Sequence, residues 1–266
     1  MQIKQFIAAL EEWAPVHFQE SYDNCGLIVG DPETDCTGIL CSLDCTEAVI
    51  EEAIGKGCNL IVSHHPIVFK GIKELSSNHY VNRTLLKAIK YGIALYAIHT
   101  NLDNLIDGVN KTLADKLHLE NREILAPRAG IFDRNGHAIG SGLIGELPLD
   151  TDELEFIKWV KEKLSLEVIK YTNLTNNKLK TIALCGGSGS FLLNILKDKK
   201  VDCFLTSDLK YHEFFEADGK YLLLDIGHGE SEHFVPALIV DYLTLKFPTF
   251  AVLESMVKTQ PVNYFK

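Results

Sequence analysis

"GILCSLDCTEAVIEEAIGKGCNLIVSHHP", residues 38–66, runs from one short apolar stretch through a helical pattern into a second apolar stretch that ends on two histidines and a proline. Apolar runs flanking a helical pattern read as strand, helix and strand, the unit from which parallel sheets are built. Further apolar runs continue along the chain at GIALYAI (92–98), KTIALC (180–185), VDCFLT (201–206) and KYLLLDI (220–226). Helical patterns lie among them: VNRTLLKAIKYG, FLLNILKDKK and KYHEFFEADGK. The alternation predicts an α/β fold with mainly parallel sheets, in which sites gather where strands end.

The 38–66 stretch has a counterpart. "TIALCGGSGSFLLNILKDKKVDCFLTSDLKYH" begins at Thr181, and "YLLLDIGHGESE" follows it as "IALYAIHTNLDN" follows the first. Cys41 aligns with Cys185 and His64 with Asp208 at an offset of 144, while His99 aligns with His228 and Asp103 with Glu232 at 129. A longer loop after HHP in the first half accounts for the difference. The pattern predicts an internal duplication, hence two similar α/β domains, 1–128 and 129–266, the second open to being discontinuous. Within 129–178, HAIGSGLIGELP reads as a strand with glycine punctuation and TDELEFIKWVKEKL as a helix capped by Thr151. This stretch is expected at the periphery of the second domain.

Composition narrows the class. The 266 residues suit one large domain or two small ones, and 46% hydrophobic content supplies a core. A formal charge of −10 disfavours a nucleic-acid partner; Lys197 to Lys200 reads as a helix C-cap. MQIKQFIAALEEW is an amphipathic helix without a signal-peptide core, and no run is long enough for a bilayer. The seven cysteines (25, 36, 41, 45, 58, 185, 203) contain no C-x-x-C pair. They read as reduced, buried thiols of a cytoplasmic protein.

Chemistry concentrates at the predicted strand ends. His228 and Glu232 share one helical face by their i,i+4 spacing, as do His99 and Asp103. Imidazole with carboxylate suits Zn, Fe, Mn or Ni better than Ca. Pro66 keeps His65 extended, so His64 and His65 leave the strand aimed differently. That divergence suits two metals about 3.5–4 Å apart. CGGSGS (185–190) reads equally as an anion-binding nest or as a tight strand-to-helix turn. Asp44 in SLDCTE reads first as a helix N-cap and second as an acceptor holding a ligand histidine. His212, on the helix after TSDLK, is either a proton donor or a surface residue. His17, His79, His118, His137 and His233 have no such company. There is no G-x-S-x-G elbow.

Taken together, DNCGLIVGD (23–31), SLDCT, SHHP, HTNLD, TSDLKYH and GHGESE resemble the Ngg-one-interacting-factor-three-like family, whose bacterial members are commonly named GTP cyclohydrolase I type 2 homologues. The resemblance runs from Asp23 to Glu232. It implies two similar α/β domains with a dinuclear metal site in the cleft between them. It also implies a toroidal homohexamer, a trimer of dimers, with the metal sites facing an inner cavity. The implied ligands of two divalent ions are His64, His65, Asp103, His228 and Glu232, with Asp103 or Glu232 bridging and His99 close by. Longer members insert an extra domain between the halves; the 129–178 stretch is too short for it, so the compact form is expected. Gly229 and Ser207 depart from the family pattern, and neither removes a ligand.

The implied activity is a metal-dependent hydrolase acting on a small molecule. The metals acidify water, and His99 or His212 serves as the proton-transfer group. Ring opening of GTP follows from the family name alone, and nothing in the sequence reads guanine. The same ligands serve a second class of function, a metal-binding scaffold or metal-delivery protein acting through partners.

Overall fold

Helix α1 (Ile3–Trp13) buries Ile3, Phe6, Ala9 and Leu10, one face of the amphipathic pattern at the N-terminus. The structure is a computed structural model describing residues 1–265; Lys266, the last residue of the expected second domain, lies outside them. Next come β1 (Gly26–Val29), β2 (Ile39–Ser42), α2 (Glu47–Lys56), β3 (Leu60–Ser63), α3 (Tyr80–Lys90), β4 (Ala94–Ala97) and α4 (Thr100–Asp103). Strands β2, β3 and β4 fall inside the predicted runs, and every residue in them is buried. Continuous apolar strands are what a parallel sheet covered on both faces requires. Helix α2 starts where the Thr46 hydroxyl accepts the Val49 N–H at 3.4 Å, and stops at Gly57 in the left-handed region. Its Val49, Ile50 and Ala53 pack with Leu40, Ile61, Leu85 and Ala88 in one core cluster.

Two compact units divide the chain: Met1–Leu102 with Phe234–Pro261, and Asp103–His233 with the segment from Val262 onward. This corrects the expected boundary between 128 and 129. Residues 103–128 join the second unit because α5 (Val109–Lys116) packs on that unit's sheet and β5 (Glu120–Phe132) is part of it. The sheet also takes β6 (Ala138–Asp152); α6 (Glu153–Lys163), β7 (Lys170–Tyr171), β8 (Lys178–Ser188), α7 (Leu193–Leu196), β9 (Cys203–Ser207), β10 (Leu222–Asp225) and α8 (His228–Glu232) follow.

The second sheet has the order β5-β6-β8-β9-β10-β7. Only β8, β9 and β10 pair in parallel; β5–β6, β6–β8 and β7–β10 are antiparallel. The expectation of mainly parallel sheets therefore fails here. The cause is the stretch read as periphery, which contributes to a long hairpin. Much of β5 is exposed, and antiparallel strands tolerate water on one face. Thr151 is the last but one residue of β6, not a helix cap; α6 begins after Asp152. FLLNILKDKK and KYHEFFEADGK form only short pieces, a 3-10 turn leading into α7 and a 3-10 helix at Tyr211–Ala217.

The chain then returns to the first unit as α9 (Val235–Lys246) and β11 (Val252–Glu254). Tyr242 of α9 stacks on Trp13 with ring centroids 4.3 Å apart and donates its hydroxyl to the Ala9 carbonyl at 2.8 Å. Strand β11 pairs in parallel with β2, giving the order β1-β4-β3-β2-β11, with β1 alone antiparallel.

The parallel cores of the two units share one register. Leu40 pairs with Ile61 and Ile61 with Leu95; Leu184 pairs with Leu205 and Leu205 with Leu224. These positions are related by 144, 144 and 129 residues, the offsets found in the sequence alignment of the halves. All seven cysteines are buried free thiols. Among the described residues no helix is long and apolar enough to cross a membrane.

Candidate metal centre

In the first unit the ladder between β2 and β3 continues past their last residues. His64 N–H donates to Ser42 O at 3.0 Å and His65 N–H to Leu43 O at 2.9 Å. Beyond that point the Ser63 hydroxyl binds the His65 carbonyl at 2.8 Å, a two-residue loop of hydrogen bonding that departs from strand geometry. The two imidazoles therefore do not point to opposite faces; their centroids lie 5.0 Å apart. His99, in the loop after β4, joins them at 5.1 Å from His64 and 5.3 Å from His65. One ligand nitrogen from each of the three lies within 4.8 Å of the others. His64 is fully buried.

Each ring is oriented from its far side. His64 Nδ1 is 2.9 Å from Ile98 O, His65 Nδ1 is 2.8 Å from Asp44 Oδ1, and His99 Nδ1 is 2.9 Å from both oxygens of Asp23. A carbonyl or carboxylate only accepts, so Nδ1 carries the proton in all three rings. In the neutral imidazole Nε2 then holds the lone pair. Asp44 is thus the acceptor behind a histidine, and the α2 cap is Thr46. This reverses the order of the two readings of Asp44.

Asp23, the first residue of DNCGLIVGD, stands behind His99. Its side chain is wholly buried and also accepts the Asn24 N–H at 2.8 Å, the Thr100 N–H at 3.1 Å and the Thr100 hydroxyl. Burial alone would raise its pKa. The hydrogen bond and charge of His99, with the Thr100 and Asn24 donors, outweigh it and hold the carboxyl well below the usual range.

The second unit carries its own set. His228 opens α8 and Glu232 ends it, with Nε2 and Oε2 3.2 Å apart. His228 Nδ1 is 2.7 Å from Asp208 Oδ2, so this ring too is oriented by an acidic residue. Glu232 is 2% exposed. The CGGSGS run makes room for it: a Cβ at Gly187 would meet Glu232 Oε1. Gly186 N–H donates to Asn110 Oδ1 and Gly187 N–H to Ser231 Oγ, both at 2.9 Å, so these two amides are spent inside the protein. The run extends β8 through Ser188.

Asp103 is the last residue of α4, and its carbonyl accepts Asn110 Nδ2 at 3.1 Å. Burial, and then the charges of Asp103 and Glu232, push the Cys185 thiol well above its ordinary range. His212 is exposed in its 3-10 helix beside Tyr211 and Phe215, with centroids 5.2 and 6.2 Å away. The structure thus brings together His64, His65 and His99 in one unit and His228 and Glu232 in the other. Among the described residues His212 enters no metal-capable group.

Fold and site together define an α/β protein whose strand ends carry groups able to hold a metal ion. The family model described as Duf34/NIF3 (NGG1p interacting factor 3) matches residues 1–261, and the chain belongs to that family. A Clostridium acetobutylicum protein named GTP cyclohydrolase 1 type 2 homolog is 32% identical over 244 residues, covering 90% of this chain and 88% of that one. A Campylobacter jejuni protein of the same name is 31% identical over 267 residues and 100% of both chains. The crystal structure of a Staphylococcus aureus hypothetical protein superimposes with a TM-score of 0.89 at 30% identity, covering 100% of this chain and 99% of that one.

Proposed function

We propose that this protein binds two divalent metal ions through His64, His65, Asp103, His228 and Glu232, and uses them to hydrolyse a small-molecule substrate. One observation carries the reading. In His64, His65, His99 and His228 alike, Nδ1 is engaged by a carbonyl or carboxylate oxygen. This is the arrangement that fixes tautomer and ring orientation in metal-ligating histidines. With the buried Glu232 carboxylate, the donor set is nitrogen and oxygen, which fits Zn, Mn or Fe. The matching strand registers of the two units support a duplicated origin for the two ligand sets.

Bound divalent cations supply Lewis acidity and acidify water near neutral pH. The chain's own contribution is orientation and proton handling. Asp23 holds His99 so that its Nε2 is the proton-accepting atom, which supports His99 as the proton-transfer group. His212 is exposed and has no such support. The names of the relatives make GTP the first substrate to test.

The test is elemental analysis of the purified protein, joined to a hydrolysis assay over purine nucleotides. About two ions per chain and metal-dependent turnover, both reduced in Glu232→Gln, are expected. Protein that stays metal-free after incubation with Zn, Mn and Fe overturns the reading. Metal binding without turnover on any substrate leaves a scaffold or delivery protein.

A further inference from the structure

We propose that the C-terminal segment from Ser255 to Phe265 is a positioning strap for the metal ligands. In this role Thr259 fixes His65 through Asp44, and Tyr264 fixes α8 through Glu230. The inference rests on the metal-binding reading above.

The segment is anchored before it reaches either ligand set. Ser255 N–H donates to Cys41 O at 2.8 Å, and Met256 N–H to Glu52 Oε1 at 2.9 Å. Val257 packs against the core cluster of Leu40, Val49 and Ile61. From this footing the Thr259 hydroxyl donates to Asp44 Oδ2, while Asp44 Oδ1 faces His65 Nδ1 at 2.8 Å. The Asp44 side chain is 34% exposed. A carboxylate that open to water turns about its terminal bond unless its second oxygen is held. The hydroxyl holds it, and the histidine behind which it stands is a proposed ligand.

In the second unit the Tyr264 hydroxyl donates to Glu230 Oε1 at 2.8 Å. Glu230 lies between His228 and Glu232 on α8, a helix of five residues whose N-cap, Gly227, offers no side-chain hydrogen bond. So short a helix does not hold itself together. Glu230 is folded back over Gly227, where a Cβ would meet its Oε2 at 2.3 Å. The Tyr264 contact pins that folded carboxylate, and with it the turn that presents His228 and Glu232. One terminal segment therefore supports carboxylates beside both ligand sets, without supplying a ligand of its own. Outer hydrogen bonds of this kind change metal affinity by about 10–100-fold when removed.

The experiment is a Co(II) titration of the full-length protein, followed by visible absorption and by competition with a chelator. Thr259→Val and Tyr264→Phe are each expected to lower Co(II) affinity about tenfold and to shift the absorption bands, with Tm unchanged. Thr259→Ser, which keeps the donor, is expected to restore wild-type binding. Variants that bind Co(II) as wild type does, with unaltered bands, overturn the strap. Wild-type protein that binds no Co(II) overturns the metal reading and the strap with it. Each of the two test variants takes away one hydroxyl donor, Thr259→Val by near-isosteric exchange for a methyl, and leaves the rest of the segment in place.

Discussion

Gly187 stands against Glu232 so closely that a Cβ at position 187 would lie 2.4 Å from Glu232 Oε1. The backbone there has φ +62°, a conformation glycine adopts freely and other residues rarely do. Gly187→Ala thus combines backbone strain with displacement of the buried carboxylate. We expect it to destabilise the fold by about 1–3 kcal/mol and to lower metal content. Gly136 separates the two effects, having φ +83° with nothing within 4 Å of a built Cβ. Gly136→Ala is expected to cost about 1 kcal/mol and to leave metal content unchanged. Thermal denaturation with elemental analysis of both variants checks this.

The acidic residues behind the histidines are expected to matter for metal binding to different structural degrees. Asp208 is 51% exposed and already sits at φ 58°, which asparagine tolerates. Asp208→Asn therefore removes the charge behind His228 with little else. Metal affinity should fall about 10–100-fold with Tm nearly unchanged. The Asp23 side chain is wholly buried and surrounded by donors from His99, Thr100 and Asn24. In Asp23→Asn the amide NH2 meets one of those donors, and stability should drop by about 1–3 kcal/mol besides. Chelator competition and chemical denaturation, run side by side, distinguish the two patterns.

Much of this protein is legible from local pattern. The runs at 38–43, 58–63 and 92–98 became β2, β3 and β4 because buried parallel strands are continuously apolar. The histidines stood out because they terminate those runs. Of the acidic residues that orient them, only Asp44, 21 residues before His65, was read in that role, and second to a helix cap; Asp23 lies 76 residues from His99 and Asp208 20 from His228. No helical or strand periodicity spans such separations. The return of α9 and β11 to the first unit was hidden for the same reason, since β11 pairs with β2 from the far end of the chain. Strand β6 was read in HAIGSGLIGELP, but its partner β5 escaped because its many exposed residues break the apolar alternation.

The cysteines should be chemically silent in the native protein. All seven are buried. Burial is the leading cause that pushes the Cys36 thiol up to about 11 and the Cys45 thiol up to about 12. The thiolate is the reactive species, so at pH 8 both its population and its access are small. A chromogenic disulfide reagent is expected to find fewer than one reactive thiol per native chain at pH 8, and seven in guanidinium. Rapid reaction of two or more native thiols would contradict the burial described above.

Glu52 links acid stability to the docking of the C-terminal strand. Burial acts to raise its pKa, but hydrogen bonds from the Ser255 hydroxyl and the Met256 N–H, joined by Lys56, hold it below 4.5. A carboxyl depressed in the folded state stabilises fully above its unfolded pKa, and that stabilisation is lost as pH falls through the folded value. The window thus opens near pH 4.5 and extends downward. Glu52→Gln removes this one titration, so its stability should fall less steeply than wild type below pH 4.5, from a lower starting value at pH 7. Denaturant titrations at a series of pH values read the slope directly. Parallel curves for the two proteins below pH 4.5 would show that Glu52 titrates alike in the folded and unfolded chain.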